Sequence, residues 1–188
     1  MPIIGIMAFS RAQTGSYEAI QTLSGTGSSD TITFSSIPQT YKHLQIRGTQ
    51  QVAYGSTDYG NTGLRLNGYT GTGYTYHFMR AYYDGSSSNK QVGGVGTGSI
   101  SYALCSVGFL NQSLDTVFGS MYEILDYTST SKQKVIRATS GGTYSTKGIL
   151  QFGSSLWNST DAITSLSLFA SNGSWTTRTS FTLYGIKE

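Results

Sequence analysis

Two histidines, nine carboxylates and one cysteine are the side chains of this 188-residue sequence best suited to acid–base, nucleophilic or metal chemistry. A nucleophilic triad needs a histidine oriented by a carboxylate and set beside a nucleophile. His43 and His77 both fall at polar positions of alternating stretches, and no Gly-x-Ser-x-Gly elbow occurs. Ser and Thr are so frequent that finding one near a histidine carries no information. Both histidines are therefore expected to be solvated or held by structural hydrogen bonds. A glycosidase needs two carboxylates facing each other across a cleft. Of Glu18, Asp30, Asp58, Asp84, Asp115, Glu123, Asp126, Asp161 and Glu188, only Glu123 and Asp126 are close in sequence. Three residues apart on one strand, they would point to opposite faces. Most of the other acids sit in turn contexts, where Asp satisfies the local backbone. A depolymerase built on long-range carboxylate pairing stays open at this stage.

Metal ligation has no better footing. There is no Cys-x-x-Cys, no His-x-x-x-His and no Asp-x-Asp-x-Asp loop, so neither a metal nor another cofactor is expected. The run Gly93-Gly94-Val95-Gly96-Thr97-Gly98 shares only its glycine content with a phosphate loop and is expected to be a flexible turn. The single cysteine, Cys105, excludes an internal disulfide. The remaining feature is aromatic: Tyr69, Tyr74, Tyr76, Tyr82 and Tyr83 lie among Asn and Gly residues. Tyr, Ser, Gly and Asn together make adaptable contact surfaces, so these five are candidates for touching a glycan or a protein. The competing reading is that amphipathic tyrosines cover a sheet face and rim the core.

The elements carrying these residues are strands. Apolar and polar side chains alternate in Ile32/Phe34, Tyr41 to Val52, Leu64/Leu66, Tyr74 to Phe78, Ser99 to Phe109 and Val117 to Tyr127. The pattern continues in Lys134 to Thr139, Gly148 to Phe152, Ile163 to Phe169 and Ser180 to Lys187. About ten strands result, with no apolar stripe at helical spacing. Turns are expected at Gly25 to Asp30, Tyr54 to Gly63, Asp84 to Gly98, Ser140 to Thr146 and Ser171 to Trp175. Without crossover helices a parallel sheet is disfavoured. The expected fold is all-β: one antiparallel β-sandwich with jelly-roll-like connectivity.

Composition agrees. Ser, Thr and Gly make up 77 residues, whereas charged residues are only 11% and proline occurs twice. Aromatics at 13% argue against a disordered chain. Net charge is +3 with the basic residues scattered, so no nucleic-acid footprint is visible. The longest apolar stretch, Ile3 to Phe9, is far short of a membrane span, so no membrane insertion is expected. It is also a poor secretory signal, lacking a basic lead. Residues 1–16 are set apart as an apolar arm, and residues 17–188 as the sandwich domain. Ile3, Ile4, Ile6, Met7 and Phe9 need a dry surface. That surface is either their own domain or a neighbouring subunit.

Three blocks carry a resemblance: Met1-Pro2-Ile3-Ile4-Gly5-Ile6-Met7-Ala8, Ile32 through Gly48, and Phe181-Thr182-Leu183-Tyr184-Gly185-Ile186-Lys187. Tyr76-His77, Asp84-Gly85-Ser86-Ser87, Ile124-Leu125-Asp126-Tyr127 and Leu156-Trp157 fall between them in order. In these the chain resembles small virion structural proteins of tailed bacteriophages, including phages of aquatic and cyanobacterial hosts. The resemblance implies a non-enzymatic virion component, a tail-fibre or baseplate appendage anchored by its arm. A capsid decoration protein and a glycan-binding host-recognition module are the alternatives. It implies other virion proteins of tail or capsid as partners, a homo-oligomer such as a trimer, and no catalytic residues.

Overall fold

The computed structural model describes residues 16–53, 59–83, 89–109, 117–144 and 147–187. The arm residues Ile3, Ile4, Ile6, Met7 and Phe9 lie outside the described residues.

In chain order the strands are β1 (Tyr17–Ser24), β2 (Thr31–Phe34), β3 (His43–Gln50), β4 (Val52–Ala53) and β5 (Tyr59–Leu66). Next come β6 (Tyr74–Tyr83), β7 (Asn89–Ile100), β8 (Ala103–Phe109), β9 (Phe118–Ile124) and β10 (Lys134–Tyr144). The last four are β11 (Lys147–Trp157), β12 (Leu166–Ala170), β13 (Ser174–Trp175) and β14 (Ser180–Ile186). No helix occurs among the described residues. Eight strands form one antiparallel sheet in the order β1-β14-β3-β9-β10-β11-β6-β7. Four form a second, β2-β12-β5-β8, and β13 pairs with β4 in a short ribbon.

The two sheets face each other as a sandwich, because period-two patterning gives each an apolar side. From the larger sheet Leu44, Ile46, Ile124, Ile136, Phe181 and Leu183 point inward, all essentially buried. Phe34, Leu64, Leu66, Leu166 and Leu168 of the smaller sheet meet them in one cluster. Each such side chain contributes ~1.5–3 kcal/mol on burial. Trp175 packs edge-on against Phe181, their ring centroids 5.6 Å apart. Elsewhere the interior is polar. Arg80 Nε donates to Gln151 Oε1 at 2.8 Å and Arg80 Nη2 to Asn61 Oδ1 at 3.1 Å. Thr62 Oγ1 donates to Gln50 Oε1 at 3.1 Å.

Several expected boundaries move. The glycine run at 93–98 is not a turn but part of β7. The reason lies across the ladder. Gly94 and Gly96 stand opposite Phe78 and Tyr76, whose rings lie where a Cβ would otherwise project. β5 begins at Tyr59, inside the expected turn, and β10 runs on to Tyr144 through Gly141 and Gly142. The expected strand Ser99 to Phe109 is broken between Ile100 and Ala103. β1 has no clear alternation, because Tyr17, Glu18 and Ala19 are all exposed at a sheet edge.

Candidate functional site

The five tyrosines do not form one surface. Tyr74 is fully buried, and its hydroxyl accepts the Leu66 backbone N–H at 2.9 Å. It has no face to offer a ligand, so its expected contact role is corrected to a core role. Tyr69, 39% exposed, leans on it with ring centroids 5.9 Å apart, and on Trp157 at 5.8 Å. An Asn67-Gly68 turn with both φ angles positive, 51° and 66°, brings Tyr69 there. Tyr82 and Tyr83 sit at the other end of β6, eight and nine residue rises from Tyr74, or about 26–30 Å. Tyr76 and Tyr82 lie on the inward parity and are half-buried, whereas Tyr83 is exposed on the outward parity.

His43 does lie beside a carboxylate, with its Nδ1 3.8 Å from Asp126 Oδ1. However, Nδ1 accepts the backbone N–H of Asp126 at 2.9 Å. A triad needs the reverse arrangement, with Nδ1–H donating to the carboxylate. The Asp126 side chain is held instead by Lys132 Nζ at 2.6 Å. That hydrogen bond keeps its carboxyl below the usual range, against the opposing effect of burial. Strand β9 ends at Ile124, and Asp126 takes a left-handed φ of 48° in the following turn. The strand-face argument separating Glu123 from Asp126 is therefore replaced by a turn, and the two acids serve different partners. His77 is exposed on the outer face of the larger sheet. Among the described residues no three His, Cys, Asp or Glu side chains come together to hold a metal. No helix there is long and apolar enough to cross a membrane.

Sequence reasoning missed Lys134. It is fully buried, and its ammonium donates to the carbonyls of Ser129 at 2.5 Å, Lys132 at 2.8 Å and Thr160 at 3.1 Å. Burial pushes its pKa down. Its role is to tie the β9–β10 turn to the segment after β11. Nothing in the local pattern distinguishes it from a surface lysine.

The feature left without an internal role is the outer face of the larger sheet. Near β3 and β9 this face is polar and self-satisfied. Arg137 Nη2 lies 3.2 Å from Glu123 Oε2, Gln45 Nε2 donates to Glu123 Oε1 at 3.2 Å, and Arg47 Nε donates to Gln45 Oε1. Toward β11, β6 and β7 it becomes apolar. Met79 is 64% exposed, Val95 69%, Phe152 50% and Leu150 46%. Register explains the grouping: Phe152 is opposite Met79, Leu150 opposite Ala81, and Val95 opposite His77. A shallow depression of about 340 Å³ lies among Met79, Ala81, Gly93, Leu150 and Phe152. Three more of similar size, about 370, 360 and 350 Å³, continue across the same face as far as Arg47 and Gly48. A row of open depressions floored by strands suits a broad macromolecular contact rather than an enclosed small ligand. The alternation in Tyr74 to Phe78 marked a strand, but the apolar outer parity at Met79, Leu150 and Phe152 was the available signal for this face.

Comparison with protein-family models, curated protein sequences and solved structures gives no match to this chain.

Proposed function

We propose that this chain is a non-enzymatic structural component of a tailed-phage virion, a tail-fibre or baseplate-type appendage assembled through its N-terminal arm. The observation that carries the reading is the exposed apolar face around Met79, Val95, Leu150 and Phe152. A freely diffusing monomer gains nothing from it, whereas a particle component buries such a face on assembly. The three sequence blocks in which the chain resembles small phage virion proteins supply the context. The reversed hydrogen bond at His43 and the commitment of Asp126 to Lys132 favour a structural role over a catalytic one.

Immunogold labelling of purified particles with an antibody to this chain tests the placement. Label on the tail is the expected result. Label on the head would favour capsid decoration, and unlabelled particles would overturn the virion reading. Deleting residues 2–15 is expected to leave a folded domain absent from particles, and normal incorporation would remove the arm from the account.

A second reading rests on Tyr69, whose exposed ring lies over Gly71 and Gly73 beside Trp157. Aromatic platforms of this kind accept a sugar face. A glycan array showing binding that Tyr69→Ala abolishes would support it, and a silent array would dismiss it.

A further inference from the structure

We infer that the apolar arm of one copy, residues Ile3 to Phe9, adds as an extra strand to the β7 edge of a neighbouring copy. The inference deepens the assembly reading above and rests on it only for the particle context.

β7 is the last strand of the larger sheet, and among the described residues no strand pairs with its outer edge. It spans 12 residues. Exposed edges of this length are normally blunted with charge, proline or a bulge. From Asn89 to Gly96 the strand carries one charge, Lys90, and no proline. Its pairing with β6 is regular over that stretch, and the register shift comes only beyond Gly96. The edge therefore offers a straight run of backbone N–H and C=O groups. Beside it lies the apolar outer face of Val95, Met79 and Phe152.

The arm has the complementary chemistry. Ile3-Ile4-Gly5-Ile6-Met7-Ala8-Phe9 is uncharged, free of proline and rich in β-branched residues. As a strand it would place Ile3, Gly5, Met7 and Phe9 on one side and Ile4, Ile6 and Ala8 on the other. One side would extend the apolar outer face, and the other would meet the Tyr76 and Phe78 side of the sheet. Strand addition uses both properties at once: backbone hydrogen bonds supply affinity, and alternate side chains supply specificity.

Reach decides between the same chain and a neighbour. The arm enters the fold at Tyr17, on β1, at the opposite end of the sheet. Seven strand spacings separate β1 from β7, about 34 Å across the sheet. The eight residue steps from Phe9 to Tyr17 span at most ~29 Å when fully extended. A same-chain strand would need the linker stretched to its limit across the whole width of the sheet, so a neighbouring copy is the less strained donor. Each copy then gives one strand and receives one, reciprocally in a two-fold dimer or in turn around a ring.

The test uses the purified full-length chain with Cys105→Ser, without phage, so its failure and that of the virion reading are separable. Chains carrying Ile6→Cys or Met7→Cys, which cover both faces of the arm, are each mixed with a size-tagged Val95→Cys chain and oxidised. A disulfide joining the two chain sizes is the expected result for at least one arm position. Three outcomes would each overturn the proposal: no link between the sizes, an intramolecular link when both cysteines share one chain, or Val95→Cys linking only to itself. In parallel, light scattering is expected to show an oligomer that deleting residues 2–15 converts to monomer. Val95→Asp, at a surface position, is expected to weaken assembly at least tenfold with unchanged circular dichroism. Unchanged assembly in Val95→Asp, or a wild-type chain monomeric throughout, would also overturn it.

Discussion

At the β1 end of the larger sheet, Glu18 holds Lys187 at 2.7 Å, and the Arg47 guanidinium lies 5.1 Å from the Tyr17 ring and 5.7 Å from that of Tyr184. A register shift between Ala19 and Gln21 bends that edge away from a straight ladder. At the β7 end, the outer face presents Met79 and Val95, and a glycine-rich strand closes the sheet. Both ends belong to one hydrogen-bonded sheet, so backbone pairing is not what separates them. The difference is in how each edge meets solvent. Charge and a bulge discourage another strand from joining at β1, whereas the regular stretch of β7 carries a single charge, Lys90, and no bulge. One edge is blunted within the chain, and the other ends the sheet with its outer side unpaired among the described residues.

Substitutions that contrast the two regions test this asymmetry. The largest expected effect is at the packed end. Phe181→Ala removes a fully buried ring between Trp175 and Tyr122 and is expected to cost ~3–5 kcal/mol in urea unfolding. A loss below about 1 kcal/mol would show that β14 is not part of the fold's packed side. Next come the glycines of β7. Gly96→Ala forces a methyl into the Tyr76 ring and is expected to cost ~1–3 kcal/mol. Gly93→Ala, whose nearest contact would be the Phe78 carbonyl at 3.7 Å, is expected to be neutral or to stabilise by up to ~1 kcal/mol. Equal effects at the two positions would dissolve the distinction between inner and outer faces of β7.

Phe152→Ser is expected to cost the isolated chain only ~1 kcal/mol, because the ring is half exposed and its cross-strand partner is the exposed Met79. Its effect belongs in assembly, read as the loss of oligomer in light scattering. The smallest effect is electrostatic. The Lys187 hydrogen bond holds the Glu18 carboxyl below its usual pKa. A carboxylate lowered in the folded state adds stability above its unfolded value, and that stability is lost as pH falls through the folded value. Glu18→Gln is therefore expected to flatten the acid limb of the stability profile slightly, leaving neutral pH nearly unchanged. A steeper acid limb in the variant would contradict the pairing.

Much of the architecture was legible because burial on one sheet face imposes alternation. Leu44 and Ile46, Leu166 and Leu168, and Phe181 and Leu183 announced their strands in this way. β1 was hidden because an edge strand exposed on both faces has no parity to preserve. β7 was hidden because its glycines are ordered by rings on the neighbouring strand, a contact that local sequence cannot display. Lys134 looked like any surface lysine, since the carbonyls of Ser129, Lys132 and Thr160 converge only after the turn closes. Of the candidate contact residues, Tyr74 could not be told from Tyr69 by type or neighbourhood. A buried hydroxyl and an exposed one differ only in what folds over them.

Sequence alone therefore determined the structural class: antiparallel strands, glycine- and serine-rich turns, and an apolar segment at the start that needs cover. These follow from side-chain period and composition, which act over a few residues. Tertiary structure decided which strands became edges, which outward side chains gathered into an apolar face, and that His43 accepts rather than donates beside Asp126. Each depends on residues far apart in the chain, such as Met79 with Phe152 or Phe78 with Gly94. Register and packing bring those residues together, and alternation by itself does not specify register between strands.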